Sequence, residues 1–127
     1  MKNNKVLVVD DERGFLQIVQ IILQRAGYEP ILASSAAEAR VAIASRRPDA
    51  LILDDDMPGT SGSDLCFELK QNPATRHIAV VMFSANERIR SEKYLAQIMA
   101  DAAVKKPCMP ADILTALEKS LKAHATV

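Results

Sequence analysis

Residues 51–62 read Leu-Ile-Leu-Asp-Asp-Asp-Met-Pro-Gly-Thr-Ser-Gly, and this stretch restricts the possible folds more than any other. A short, wholly apolar run drives three consecutive carboxylates against a Met-Pro-Gly turn. That is the pattern of a buried parallel strand that ends at a polar crevice. Two unit charges about 4 Å apart repel by about 4 kcal/mol at an effective dielectric of about 20, so a fold that gathers acids needs a cation to offset them.

The rest of the chain supplies the partners such a strand needs. Residues 5–9 (Lys-Val-Leu-Val-Val) are short, apolar and β-branched and end at Asp10-Asp11, a buried first strand with acids at its carboxyl end. Over 12–26, Phe15, Ile18, Val19, Ile22 and Ala26 share one helical face, and Gly27 stops the helix. A weaker strand is expected over 29–33. Ser35 and Glu38 have capping-box spacing and open an Ala-rich helix to about Ser45. The third strand spans 50–54, its apolar part ending at Leu53. A helix over 63–71 turns Leu65, Cys66 and Leu69 inward, and Asn72-Pro73 ends it. The fourth strand is expected over 78–83, a helix over 87–100 with Leu95, Ile98 and Met99 buried, and a short fifth strand over 102–105. Pro110 suits the first position of a last helix running to about Ala123, with Met109 a cap that cannot accept amide hydrogens.

Strands alternating with helices imply a three-layer α/β domain with a parallel sheet and right-handed crossovers. At 127 residues, 49% hydrophobic, the chain reads as one domain over 1–127 with a substantial core. Its 16 basic and 16 acidic side chains cancel, which argues against direct nucleic-acid binding. No run approaches the roughly 18 apolar residues of a membrane span, and residues 1–9 have no signal-peptide pattern, so no membrane insertion and a cytoplasmic location are expected. Cys66 and Cys108 lack metal or redox spacing and read as free packing thiols.

In such sheets ligands bind beyond the carboxyl ends of the strands. Asp10 and Asp11 end strand one, Asp54 strand three, Ser84 strand four and Lys106 strand five, so the polar endings converge on one crevice. This set, with Met57-Pro58 and Gly62 following Asp54, Phe83-Ser84-Ala85 and Lys106-Pro107, resembles the receiver domain of two-component response regulators along essentially the whole chain. The resemblance implies a flavodoxin-like (βα)5 fold with sheet order 2-1-3-4-5, Mg²⁺ in the acidic pocket, a phosphoryl group accepted on Asp54, and a cis bond at Lys106-Pro107. It also implies a histidine kinase or histidine phosphotransfer protein as donor, a downstream protein target, self-phosphorylation and autodephosphorylation without turnover of a separate substrate, and a monomer or weak dimer.

Chemistry supports these roles. A carboxylate is a poor nucleophile toward an anionic phosphate, and a divalent ion bridging both neutralises the charge of transfer. Asp11 and Asp54 are expected as direct ligands, Asp10 through a water, and Asp56 through its backbone carbonyl. Lys106 offers a point charge and Ser84 a hydroxyl to phosphoryl oxygens. The side chains of Asp55 and Asp56 read either as loop acids or as charges that raise metal affinity. His77 and His124 read as exposed bystanders. Singly, Asp10-Asp11 could be turn acids, Ser84 a loop hydroxyl and Lys106 a solvated lysine.

Two other classes compete. Asp54-x-Asp56 resembles the nucleophile motif of haloacid-dehalogenase-type phosphatases, although that fold places it in the first strand. A degenerate receiver acting only as an interaction module is the second, and an intact acid pocket argues against it. The departures from the family lie on the output side: Ala103 and Cys108 stand where receivers commonly carry aromatic rings. The signal is therefore expected to pass through Ser84 and residues 85–87, with Tyr94 swinging in as an alternative. With no residues after Val127, a separate protein is expected to carry the output, unless the chain is a piece of a longer one.

Overall fold

In a computed structural model that describes residues 4–125, five parallel strands form one sheet in the order β2-β1-β3-β4-β5. The strands are β1 (Lys5–Val9), β2 (Glu29–Ala33), β3 (Ala50–Leu53), β4 (Ala79–Ser84) and β5 (Ala102–Lys105). The helices are α1 (Arg13–Arg25), α2 (Ala36–Arg46), α3 (Gly62–Gln71), α4 (Glu92–Ile98) and α5 (Pro110–Ala125). The expected sheet order holds, and the Lys106-Pro107 peptide is cis. Two strands shift by one residue: β3 stops at Leu53, leaving Asp54 beyond it, and β4 starts at Ala79 and runs on to include Ser84.

Strand alternation assigns the two faces. Leu7, Val9, Leu51, Leu53, Val80 and Met82 pack with residues of α2, α3 and α4, whereas Val6, Val8, Ile52, Val81 and Phe83 pack with α1 and α5. Both faces are covered, which is why β1, β3 and β4 read as unbroken apolar runs. Among the described residues no helix is long and apolar enough to cross a membrane.

Three helices differ from the sequence expectation. The buried stripe of α1 is Leu16, Val19 and Leu23, with Phe15 and Ile22 partly buried, while Ile18 is 57% exposed. The Ser35 hydroxyl does accept the Glu38 amide at the start of α2, but the Glu38 carboxylate takes the amide and hydroxyl of Ser34 and leaves the capping box open. The expected 87–100 helix is broken into a 3-10 turn over Glu87–Arg90 and a short α4. Asn86 and Ser91 each cap the element that follows them, so two hydroxyl- or amide-bearing caps replace one continuous helix. Met99 then takes a left-handed conformation (φ 63°) and is exposed, and Ile89 fills the core instead.

At the amino end of β4 and β5, Asp101 accepts the Val80 amide at 2.7 Å, the Lys70 ammonium at 2.9 Å and a ring nitrogen of His124 at 2.9 Å. Burial alone would raise the Asp101 pKa, but these bonds outweigh it and hold the carboxyl below its ordinary range. His124 is therefore not the exposed bystander expected: it ties the last turn of α5 to the sheet, whereas His77 is exposed.

Candidate functional site

The crevice forms where β1, β3, β4 and β5 end together. One carboxylate oxygen from each of Asp10, Asp11 and Asp54 lies within 4.8 Å of the others. Asp10 and Asp54 are buried and Asp11 is exposed, so the cluster has one open side. Lys106 reaches in from the end of β5, its Nζ 2.8 Å from Asp10 Oδ2 and 3.8 Å from Asp54 Oδ1. Asp10 also accepts the Glu12 amide at 2.9 Å, whereas Asp54 receives only a long bond of 3.3 Å from the Asp56 amide.

That imbalance sets the electrostatics. Burial, then repulsion from Asp10, pushes the Asp54 carboxyl up to about 7, against the pull of Lys106 and the Asp56 amide. Without a further cation the site holds a carboxylate that resists ionisation near neutrality. An all-oxygen cluster of this kind suits a hard divalent ion.

The turn after Asp54 is held by close backbone approach. Gly62 donates its amide to the Asp55 carbonyl at 3.1 Å, and a Cβ on Gly62 would fall 2.0 Å from the Asp54 carbonyl oxygen. Only glycine fits between α3 and β3. The Ser84 hydroxyl donates to Asp56 Oδ2 at 2.8 Å and accepts the Asn86 amide at 3.1 Å. From Asp54 and Lys106 an open groove of about 520 Å³ extends between α1 and α5, past Phe15, Ile22 and Ile113.

A family profile described as the response regulator receiver domain matches residues 6–118. The chain belongs to the response regulator receiver family. The phosphate regulon regulator PhoB of Pseudomonas aeruginosa is 31% identical over 96% of this chain and 53% of its own length. PhoP of Bacillus subtilis, which regulates alkaline phosphatase synthesis, is 31% identical over 87% of this chain and 45% of its own. This receiver thus spans about half the length of the curated relatives it matches. Among solved structures, a putative response regulator from Chloroflexus aurantiacus superposes with a TM-score of 0.88 at 30% identity, over 95% of this chain and 99% of its own. The chemotaxis regulator CheY4 of Vibrio cholerae does so at 0.85 and 26%, over 94% and 99%. Receivers are signalling domains controlled by phosphorylation, and they bind Mg²⁺ through an aspartate cluster; here Asp10, Asp11 and Asp54 lie together.

The structure gathers Asp10, Asp11, Asp54 and Lys106 as the sequence expects, with Ser84 buried at the end of β4 and bound to Asp56. Asp55 does neither of the things expected of it. Its side chain is fully buried, accepting the Ser63 amide and hydroxyl, the Arg88 guanidinium at 2.6 Å and the Tyr94 hydroxyl at 3.3 Å. The Ser63 hydroxyl also meets that of Tyr94. Burial would raise the Asp55 pKa, but the bonds from Arg88 and Ser63 win and hold it low. Tyr94 is therefore anchored by Ser63 and Asp55, with Arg88 over its ring at 5.2 Å.

Sequence reasoning missed Arg88, Ser63, Asn86 and two rings around Lys106. A polar Ser63 at a core-facing helix position beside a buried strand was the available signal for the Asp55 network.

Proposed function

We propose that this receiver takes a phosphoryl group onto Asp54 from a phosphohistidine of a histidine kinase or phosphotransfer protein, or from a small acyl phosphate, and signals through a partner protein. The observation that carries this reading is the buried Asp54 carboxylate beside two further carboxylates, with Lys106 as the fixed cation 3.8 Å away. The carboxylates of Asp11 and Asp54 and the backbone carbonyl of Asp56 would hold Mg²⁺, with Asp10 acting through a water. Bound there, the ion supplies charge neutralisation between the carboxylate and the entering phosphoryl group.

The chain's own residues do the rest. An oxygen of ionised Asp54 attacks phosphorus, the P–N or P–O bond to the donor breaks, and the donor leaves with that electron pair. The product is an acyl phosphate, which water returns to carboxylate and inorganic phosphate. Lys106 offers its ammonium to a phosphoryl oxygen. Ser84 offers its hydroxyl to another once it lets go of Asp56. That exchange moves the segment containing Asn86 and the 3-10 turn, and Asp55 links the same turn to α3 and α4 through Arg88 and Ser63.

A phosphatase of the haloacid-dehalogenase type would turn over substrate, and an interaction-only module would take up no phosphate. Incubation of wild type and Asp54→Asn with acetyl phosphate and magnesium, followed by intact mass, tests the proposal. A gain of one phosphoryl mass in wild type only is expected, and equal labelling of both would overturn it.

A further inference from the structure

Lys106 is buried, and a lysine ammonium on a four-carbon stem is ordinarily mobile and strongly hydrated. Two rings close around it. Nζ lies 3.9 Å from the centroid of the Phe15 ring and 4.9 Å from that of Phe83, and the rings meet edge to face at 6.0 Å and 86°. Phe15 comes from the first turn of α1, and Phe83 is the residue before Ser84 on β4. Three elements thus deliver one cation and two negative ring faces to the same point.

We propose that Phe15 and Phe83 are positioning residues for Lys106, holding its ammonium beside Asp54 while leaving it able to exchange one oxygen partner for another. This rests on the phosphoryl-transfer reading of the site. A ring face attracts a cation without offering a lone pair that competes for its three N–H donors. A second carboxylate in the same place would bind Lys106 more tightly and keep it from a phosphoryl oxygen. An aliphatic side chain would fill the space but leave the charge desolvated with less compensation. The ring pair meets both needs, and because Phe83 adjoins Ser84, the same strand end sets the lysine and the hydroxyl.

Phe15 is the residue to change, since it is partly exposed while Phe83 is in the core. Acetyl phosphate is the donor, so that docking of a large partner plays no role. With the full chain at saturating magnesium, Phe15→Leu is expected to slow phosphorylation about threefold to tenfold, the range of a partly desolvated cation–π contact. Phe15→Tyr should stay within about twofold of wild type by the same principle. The affinity for magnesium alone should be the same in all three. Pentafluorophenylalanine at position 15 keeps the ring's shape but inverts its face, and should be as slow as leucine. The ε-methylene resonances of Lys106, shifted upfield by the rings, should move downfield in Phe15→Leu. Wild-type rates in the leucine and pentafluoro variants, or Lys106 resonances indifferent to position 15, would overturn the positioning role. A wild type that takes up no phosphoryl group would overturn the reading of the site itself.

Discussion

The Ser84 hydroxyl donates to Asp56 Oδ2 at 2.8 Å, so the hydroxyl at the end of β4 is already committed to an acid. Asn86 braces the same pair, its side chain 3.4 Å from Asp56 Oδ1 and its amide on Ser84. Asp56→Ala removes the competing acceptor and one negative charge while keeping the backbone carbonyl. Phosphorylation by acetyl phosphate should accelerate about threefold to tenfold, equivalent to roughly 1 kcal/mol of relieved repulsion. A slower variant with unchanged magnesium affinity would mean that Asp56 assists transfer.

Asp54 makes stability fall as pH rises in the metal-free protein. Its folded pKa, about 7, stands above the ordinary 3.8, so the native state holds a proton that the unfolded state has lost across that window. The site costs nothing below about pH 4 and its full penalty, on the order of 2–4 kcal/mol, above about pH 7. Chelator-treated wild type should lose stability between about pH 4.5 and 7.5 relative to Asp54→Asn, the window set by the unfolded and folded pKa values. Parallel urea titrations of the two proteins that keep a constant gap would remove the basis for this.

Magnesium should raise the melting temperature. Several millimolar ion, roughly tens of times a sub-millimolar dissociation constant, corresponds to about 2 kcal/mol. Asp11→Ala, relieved of one like charge, should melt higher than wild type in chelator and lose the magnesium response. Identical melts with and without the ion in wild type would speak against the site.

Arg88 pairs a half-exposed guanidinium with a fully buried carboxylate. Arg88→Ala leaves Asp55 short of a charged donor and should cost about 1–3 kcal/mol. Asp55→Asn combined with Arg88→Ala should cost less than the two single changes added together. In the wild type, the phosphoryl mimic beryllofluoride should shift the amides of residues 84–88 strongly and those of 102–104 weakly, because Ala103 has no side-chain rotamer to change. A reversed pattern would place the response in β5.

Gly62→Ala tests the backbone clamp. With its Cβ 2.0 Å from the Asp54 carbonyl oxygen, the residue forces α3 or the turn to move. A loss of about 1–3 kcal/mol is expected, with slowed phosphorylation. A stable, fully active variant would show that the turn is looser than the contact implies.

Most of the architecture was legible because parallel strands covered on both faces are short apolar runs, and four of the five end beside a residue of the acid-and-lysine pocket or Ser84. The acid cluster and Lys106 could be read for the same reason. Legibility stopped where one side chain's fate depends on others far along the chain. Asp55 sits beside Asp54 in sequence, yet strand alternation turns it to the other side, where Ser63, Arg88 and Tyr94 wait. The breaking of the helix expected over 87–100 was hidden likewise: apolar periodicity ran on, while two successive caps, Asn86 and Ser91, decided the geometry. Phe15 and Phe83 looked like ordinary core residues, and only the course of Lys106 between them reveals otherwise.

Asp101 offers the opposite case to the acid pocket. At the amino end of the sheet, one carboxylate is answered by an amide, an ammonium and an imidazole, and they clamp β4, α3 and α5 together. The domain is therefore pinned at one pole and loaded with like charge at the other. The end of the sheet opposite the pocket is thus an anvil: a charge change at Asp54 would be felt by strands already tied together there, which leaves the loops beyond the strands as the segments with fewest such ties to break.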